Sequence, residues 1–549
     1  MLAAMKAAAL IADVLKREGV ELLFGYPLNP LIESAAELDI RPIIVRQERT
    51  GLHMADAYSR LNSGNRLGVF CMQFGPGTEN AFGGVAQAYS DSVPILVLPT
   101  GYARELTNRA PNFNAFLNFQ HVTKACEQVT AAATLPDVLR RSFSLLRNGR
   151  PRPVLVELPN DLFVEEVESF AYSPSVASRA APDPDDVRAA AQALLDAKRP
   201  VLYAGQGVHY AEAWLQLQEL AELLSIPVTT SLQGKSAFPE NHPLSLGSGG
   251  RALPAPVTQF LAEADVIFGV GCSFTSTAYG VSMPPGKTVI HQTLDPNDLG
   301  HDVAVTHPLL GDSALALDAV LCELRDRGTT RNEARTREVG HEIARAREAW
   351  IEPWLVKLSS DETPLSPYRI IRDLMRTVDR SQTVITHDAG SPRDQLSPFW
   401  ESTVPLSYIG WGKTTQLGYG LGLAMGAKLA RPDHLCINVW GDAAIGFTGM
   451  DFETAVRERI PILSILLNNF SMAIELPVMP TSTEKYRSTD ISGNYADFAR
   501  ALGGYGERVT EVGEIVPAIE RGIEQTLNGT PALLEFITAK EFEYPMPQR

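Results

Sequence analysis

The stretch from 435 to 476 constrains the fold of this chain more than any other. Residues 435–439 (LCINV) and 462–467 (ILSILL) are short, mainly apolar runs, and between them 447–459 repeats its apolar residues at helical spacing. Such a series reads as two buried parallel strands joined by a crossover helix, because parallel neighbours need a connection of about a dozen residues or more. The residues just past each strand then lie at the carboxyl edge of an open sheet, where α/β folds take their ligands. Gly441-Asp442-Ala443 and Asn468-Asn469 hold those two places.

The residue types there suit one kind of ligand. Asp442 and an Asn amide oxygen are hard donors, fit for a Mg²⁺ that completes its octahedron with water and substrate phosphates. Small Gly441, Ala443 and Ala444 leave room for a diphosphate to reach the backbone N–H groups that open the next helix.

The rest of the chain repeats the alternation. Strand-like runs fall at 20–24, 43–46, 67–72, 95–98 and 154–158, then at 200–207, 226–229, 265–271 and 288–294, and again at 383–386, 435–439 and 462–467. A Pro-rich linker (SPSVASRAAPDPDD, 173–186) and a charged helical stretch at 331–354 divide them. The expected class is α/β, with three doubly wound α/β domains at 1–172, 187–330 and 360–549. A length of 549 residues suits three to four domains at about 150 residues each. A net charge of −16 without a basic block argues against nucleic acid and anionic membranes as main partners. Cysteines 71, 126, 272, 322 and 436 are scattered without a C-x-x-C pair, so neither a disulfide framework nor a zinc site is indicated, and a reducing cytoplasm is expected.

Two early positions have ordinary structural readings. Asn29-Pro30 has the form of an N-cap followed by proline at the first helical position. Glu48, just past the run at 43–46, suits the first turn of a helix, whose dipole favours it.

Several segments together carry a family likeness. GDA followed by LNN resembles the GDG…NN motif of thiamine diphosphate (ThDP) enzymes, with Ala443 at the motif's last Gly. The resemblance implies that Asp442, Asn469 and the carbonyl of Ser471 bind Mg²⁺ beside the diphosphate. RQERTGLHMADAYSR is similar to the family's R-x-E-x-x-A-x-x-M-A-x-x-Y-x-R segment, which makes Glu48 the carboxyl that meets the cofactor's aminopyrimidine. A carboxyl donating to the far ring nitrogen favours the imino tautomer, and burial raises its pKa toward the range where it exchanges that proton. Glu48 is thus expected to be a proton relay.

Other segments extend the likeness. QFGPGTEN resembles the SGPGxxN loop that shapes the cofactor pocket. HDAGS resembles the segment that touches the diphosphate, giving Gly390 and Ser391. YIGWGKTTQLGYGLGLAMG resembles the glycine-rich segment whose bulky apolar residue wedges the cofactor into a V, here Leu417, preceded by Gln416. In FGYPLNP, Asn29 stands where related decarboxylases carry an active-site Asp, and Leu28 where Gly is usual. Glu475 lies where simple 2-keto-acid decarboxylases such as pyruvate decarboxylase carry a second catalytic glutamate, although a salt bridge would equally occupy it. Gln120 and His121 lie in a polar, aromatic stretch (104–120 and beyond) of the kind that carries substrate selectivity.

GFTGMDFET is close to 2-hydroxyacyl-CoA lyases and oxalyl-CoA decarboxylases, whereas GYPLNP, GPGTEN and LQGKSAFPENHPLSLG resemble acetolactate synthases. FITAKEFEYPMPQR leaves little tail for the lid of CoA-using members. The resemblance therefore implies a C–C lyase or carboligase for small 2-keto acids or 2-hydroxy ketones, with a 2-hydroxyacyl-CoA lyase or oxalyl-CoA decarboxylase as the alternative. A non-catalytic regulatory homologue is disfavoured by the presence of Glu48 and Asp442. A flavin or nicotinamide oxidoreductase would need the complete glycine fingerprint that Gly205-x-Gly207 lacks. The family's central domain holds FAD or ADP in some members. Asp295 at a strand end suits a ribose, but GCSFTSTAYG lacks the Arg of flavin-binding relatives, so an empty central domain is favoured. The likeness also implies a homodimer or homotetramer, with sites shared between chains.

Overall fold

In the computed structural model, which describes residues 4–168 and 170–547, three six-stranded sheets are each parallel throughout. The first runs in the spatial order Arg41–Ile44, Leu22–Tyr26, Gly68–Met72, Ile95–Gly101, Val154–Pro159, Ala125–Gln128. The third has the same connectivity: Tyr408–Ile409, Thr383–His387, Leu435–Gly441, Leu463–Asn468, Ala532–Ile537, Tyr505–Val509. The middle sheet differs, with Ser245–Ser248, Val228–Thr230, Pro200–Ala204, Val266–Val270, Thr288–Thr293 and His307–Leu310 side by side. That is the dinucleotide-fold order, reversing between Pro200–Ala204 and Val266–Val270. A two-stranded antiparallel ribbon, Ala4–Lys6 with Glu166–Glu168, closes the first sheet's domain.

Burial on both faces explains the unbroken apolar runs. Gly68–Met72 and Ile95–Gly101 are buried along their whole length. Leu10, Ile11, Val14 and Leu15 from the first helix meet Leu139, Phe143 and Leu146 from Leu135–Arg147 over Val69, Leu96 and Val156. Among the described residues, no helix is long and apolar enough to cross a membrane.

The chain divides into two compact units. One holds the chain up to Ser178 with Leu421–Pro432 and Thr448–Ile460; the other holds Arg179–Gly420, Asp433–Phe447 and the chain from Pro461 on. In the first unit, residues 421–432 reach the helix Glu48–Leu61 at backbone distance. A Cβ on Gly422 would stand 2.5 Å from that of His53, and one on Gly426 2.2 Å from the Met54 carbonyl oxygen, so no larger residue fits either place.

Several expectations need correction. The helix expected at 447–459 is broken into Asp442–Thr448, a 3-10 turn Gly449–Asp451 and Phe452–Arg457. Gly446 and Gly449 weaken helical continuity. The Asp451 carboxylate then pins the break by accepting from the Arg46 amide (2.7 Å) and the Thr454 hydroxyl (2.8 Å). Asn29 is not an N-cap: it is the first residue of the helix Asn29–Glu37, Leu28 holds the cap position, and no side chain caps it. Proline's fixed φ suits Pro30 within that first turn. The strand before Glu48 lies two residues earlier than expected, at Arg41–Ile44. The charged helix spans Glu333–Ile351, capped by Asn332, whose side chain accepts from the Arg335 amide at 3.0 Å.

Candidate active site

In the first unit, Glu48 opens the helix Glu48–Leu61 directly after the edge strand Arg41–Ile44, and only 5% of it is exposed. Its carboxylate accepts one side-chain hydrogen bond, from Asn80 Nδ2 at 3.3 Å. A Cβ on Gly77 would lie 3.0 Å from Glu48 Oε1, so the glycine of the GPG loop makes room for the carboxyl. Gly75, at φ +61°, turns the chain into that loop, a conformation glycine adopts freely. Burial pushes the Glu48 carboxyl above its ordinary pKa, and the nearby Asp451 carboxylate acts in the same direction.

Asn29 is exposed at the carboxyl end of Leu22–Tyr26. Gln120 and His121 form a 3-10 turn past Ala115–Phe119. That loop is tied down by Glu157, a buried residue at the end of the strand Val154–Pro159, which accepts from the Phe116 amide and from Gln128 Nε2, both at 3.1 Å.

The second unit gathers the remaining candidates at the carboxyl edge of its third sheet. Asp442 follows Leu435–Gly441, and Asn469 follows the neighbouring strand Leu463–Asn468. Asp442 Oδ2 and Asn469 Oδ1 both accept from the Ser471 amide at 3.0 Å, so the two oxygens converge on one point. Phe470, at φ +56°, makes the tight turn that brings Ser471 back to them. The Ser471 hydroxyl is buried and has no partner among the described residues.

The two asparagines divide their roles. Asn468 donates to Glu535 at 2.7 Å inside the sheet, and that fully buried Glu also accepts from the Ala496 amide and from Arg508. Asn469 is left to face Asp442. Burial pushes the Asp442 carboxyl up to about 6, against the backbone N–H donors that favour its charge.

This donor set fits Mg²⁺. Among the described residues no cluster of three or more His, Cys, Asp or Glu side chains could hold a metal alone. One carboxylate, one amide oxygen and a nearby carbonyl leave coordination places for phosphate oxygens and water, as magnesium prefers.

Gly390 and Ser391 follow the strand Thr383–His387; Gly390 sits at φ +82°, a conformation that favours glycine, and a Cβ there would meet only Pro392 Cδ, at 4.0 Å. The Ser391 hydroxyl lies 2.8 Å from the Tyr544 hydroxyl, which itself donates to the Glu541 carbonyl at 2.9 Å. Gly441, Ala443 and Ala444 lie beside Asp442, and the Ala443 amide donates to Asp442 Oδ1 at 2.9 Å. Gln416 and Leu417 are partly exposed, whereas Gly418 and the residues after it are buried. A helix-start leucine left out of the core is free to meet a ligand.

One organising residue, Asp388, carried no role in the sequence reading. Fully buried, it accepts from the amides of Ala389 (2.7 Å), Gly418 (2.9 Å) and Gly420 (2.8 Å), tying the Gly390-Ser391 segment to the Leu417 segment. Its signal in the sequence was its place within HDAGS, with no spacing to mark its partners. Glu475 is exposed at the end of the 3-10 turn Ala473–Glu475 and has no ion pair among the described residues, so the salt-bridge reading finds no partner. In the middle sheet, Gly205 and Gly207 use their lack of side chains for close packing: a Cβ on either would stand 2.4 and 2.7 Å from backbone atoms of Gly271.

Comparison with known proteins identifies the family. Family models for the thiamine pyrophosphate enzyme match as the N-terminal TPP binding domain over 5–130, the central domain over 187–320 and the C-terminal TPP binding domain over 388–536. The "Probable acetolactate synthase large subunit" of Methanococcus aeolicus is 29% identical over 97% of this chain and 92% of its own length. The "Acetolactate synthase isozyme 3 large subunit" of Escherichia coli is 28% identical over 99% and 97%. The "Acetolactate synthase large subunit" of Parasynechococcus marenigrum is 30% identical over 92% and 83%. With three family models matched in series and relatives aligned along nearly its whole length, the chain belongs to the thiamine pyrophosphate enzyme family.

Proposed function

We propose that the protein is a Mg²⁺-dependent carboligase that breaks and makes C–C bonds beside the carbonyl of small 2-keto acids or 2-hydroxy ketones, a reading its similarity to proteins named acetolactate synthase supports. The observation that carries this reading is the convergence of Asp442 and Asn469 on the Ser471 amide at neighbouring strand ends. When bound, thiamine diphosphate supplies the nucleophilic ring carbon and the electron sink for the bond that breaks.

The chain's own residues do the rest. Asp442, Asn469 and the Ser471 carbonyl hold the metal, while Gly390, Ser391, Gly441, Ala443 and Ala444 line the diphosphate end. Leu417, with Gln416 before it, would pack against the cofactor. Glu48 donates its proton to the pyrimidine ring and takes it back, which its burial favours. Exposed Asn29 and Glu475 are the further acid–base or orienting candidates. In this reading 1–172 serves the pyrimidine ring, 187–330 is the central domain without a required FAD or ADP, and 360–549 serves the diphosphate. Self-association follows the family pattern, as a homodimer or homotetramer in which one copy's Glu48 serves another copy's metal motif. All five cysteines are free thiols, which supports a reducing, cytoplasmic location.

The test is a mass-spectrometric screen of the purified protein with ThDP and Mg²⁺ against pyruvate, glyoxylate, benzoin and 2-hydroxyacyl-CoAs. Turnover of a 2-keto acid or of benzoin supports the proposal. Cleavage of a 2-hydroxyacyl-CoA alone replaces it with the lyase reading, and no turnover of any kind sinks it. Glu48→Gln serves as the control, expected to lose about 10²- to 10⁴-fold in rate while still folding.

A further inference from the structure

Glu48 is not the only buried carboxyl in its neighbourhood. Asp451, in the turn Gly449–Asp451, is 1% exposed and is fixed against the residues that lead into Glu48 through the Arg46 amide at 2.7 Å. The Thr50 hydroxyl, two residues past Glu48 on its helix, also donates to this carboxylate. We propose that Asp451 is a positioning residue for the proton on Glu48: its buried negative charge keeps Glu48 neutral and ready to donate.

The donors decide which of the two carries the proton. Burial raises the Asp451 carboxyl too, but it accepts from three donors, the Arg46 amide, the Thr454 hydroxyl at 2.8 Å and the Thr50 hydroxyl, which favour its ionised form. Glu48 accepts from its own backbone amide and, at 3.3 Å, from Asn80, and from no other side chain among the described residues. Two carboxyls in one buried region with unequal donors separate into a carboxylate and an acid. Without Asp451, the helix start at Glu48 would favour the charged form.

Other charged groups around Glu48 do not reverse this. On its own helix stand half-buried Arg49, which burial holds below its ordinary pKa, and His53; the preceding loop brings Arg46, whose half-exposed side chain reaches Glu453 at 3.6 Å. Helix Pro76–Ser90 presents Asn80 and exposed Glu79, and Thr448–Ile460 adds Glu453 itself. Burial first, and the Asp451 charge with it, raise the pKa of Glu48, in agreement with the geometry.

The proposal rests on Glu48 meeting the coenzyme, but its test does not. Infrared spectra of the cofactor-free protein, with the Glu48 carboxyl band assigned by difference against Glu48→Gln, are recorded across pH for wild type, Asp451→Asn, Asp451→Glu and Thr454→Val. In Asp451→Asn the Glu48 band is expected to titrate at lower pH, and Asp451→Glu to restore the wild-type midpoint. Thr454→Val, which removes one donor from Asp451, shifts the band the same way by less and covers the case in which Asp451→Asn fails to fold. In parallel, the ThDP dissociation constant of Asp451→Asn at neutral pH rises about tenfold, one pH unit's worth of protonation. An unchanged midpoint in both Asp451→Asn and Thr454→Val overturns the proposal. A shifted midpoint in a protein that never binds ThDP upholds it and sinks only the coenzyme reading.

Discussion

The first and third sheets share one strand order, yet their carboxyl edges carry opposite chemistry. After the second strand in chain order, the first sheet places Glu48 and the third places Leu417; after the third strand, the first places the Gly75-Pro76-Gly77 loop and the third places Asp442. Identical connectivity therefore fixes where a functional group stands, not what it does. The surroundings decide that. Glu48 has one long side-chain donor and a charged neighbour, an environment that holds a proton. Asp442 accepts from two backbone amides beside a second oxygen, an environment that presents lone pairs to a cation.

Replacing Asp442 by Asn is the hardest test of that contrast. It removes the only carboxylate of the proposed metal set while keeping the size, so ThDP affinity in Mg²⁺ should fall about 100-fold or more, as loss of a directly coordinating group exceeds the 10- to 100-fold typical of a group one shell further out. Isothermal calorimetry with and without Mg²⁺ reads it. Glu48→Gln, by contrast, should bind ThDP and fail in turnover; if both variants lose binding equally, the division of labour between the two sheets is wrong.

A smaller effect is expected at Leu417. Truncation to Ala removes the partly exposed apolar wedge but no hydrogen bond, so kcat should fall about tenfold while ThDP affinity stays within about threefold, the pattern of lost positioning. Steady-state kinetics beside the binding isotherm decide it. A Leu417→Ala protein with unchanged kcat returns that residue to an ordinary packing role.

Much of this comparison was legible in the sequence because buried parallel strands are nearly continuous apolar runs. The core strands at 68–72, 95–101, 435–441 and 463–468 announced themselves in that way. Tyr408–Ile409 and Ala125–Gln128 did not, since a two-residue strand and a half-buried edge strand of mixed polarity leave no period to read. The single helix expected at 447–459 failed for a tertiary reason: Asp451 spends its carboxylate on the Arg46 amide, some 400 residues earlier in the chain. At the site, Glu48, Asp442 and Asn469 could be nominated because each lies past a strand end in a segment that resembles the family's motifs. Asp388, Asp451, Glu535 and Tyr544 could not, because their roles lie in partners distant in sequence: glycine amides, the loop before Glu48, an asparagine on the next strand and the Ser391 hydroxyl.

Asp388 offers the finest test, since it shares with Asp442 a carboxyl pushed up to about 6 by burial and donors drawn from the backbone, yet stands outside the proposed metal set. Its folded-state pKa lies above the ordinary 3.8, so between those values the folded protein binds more protons than the unfolded chain. Stability must therefore fall as pH rises through that window, by about 3 kcal/mol for this group alone, and level off above it. Asp388→Asn removes the titration and turns an amide N–H toward one of the Gly418 and Gly420 donors, an unsatisfied contact costing about 1–3 kcal/mol at all pH values. The measurement is urea unfolding of both proteins without cofactor at several pH values from 4 to 7. The wild-type advantage over Asp388→Asn should shrink with rising pH. Because Asp442 titrates alike in both proteins, it cancels from the difference, and a flat difference across the series would mean that the three amides, not burial, set the Asp388 pKa.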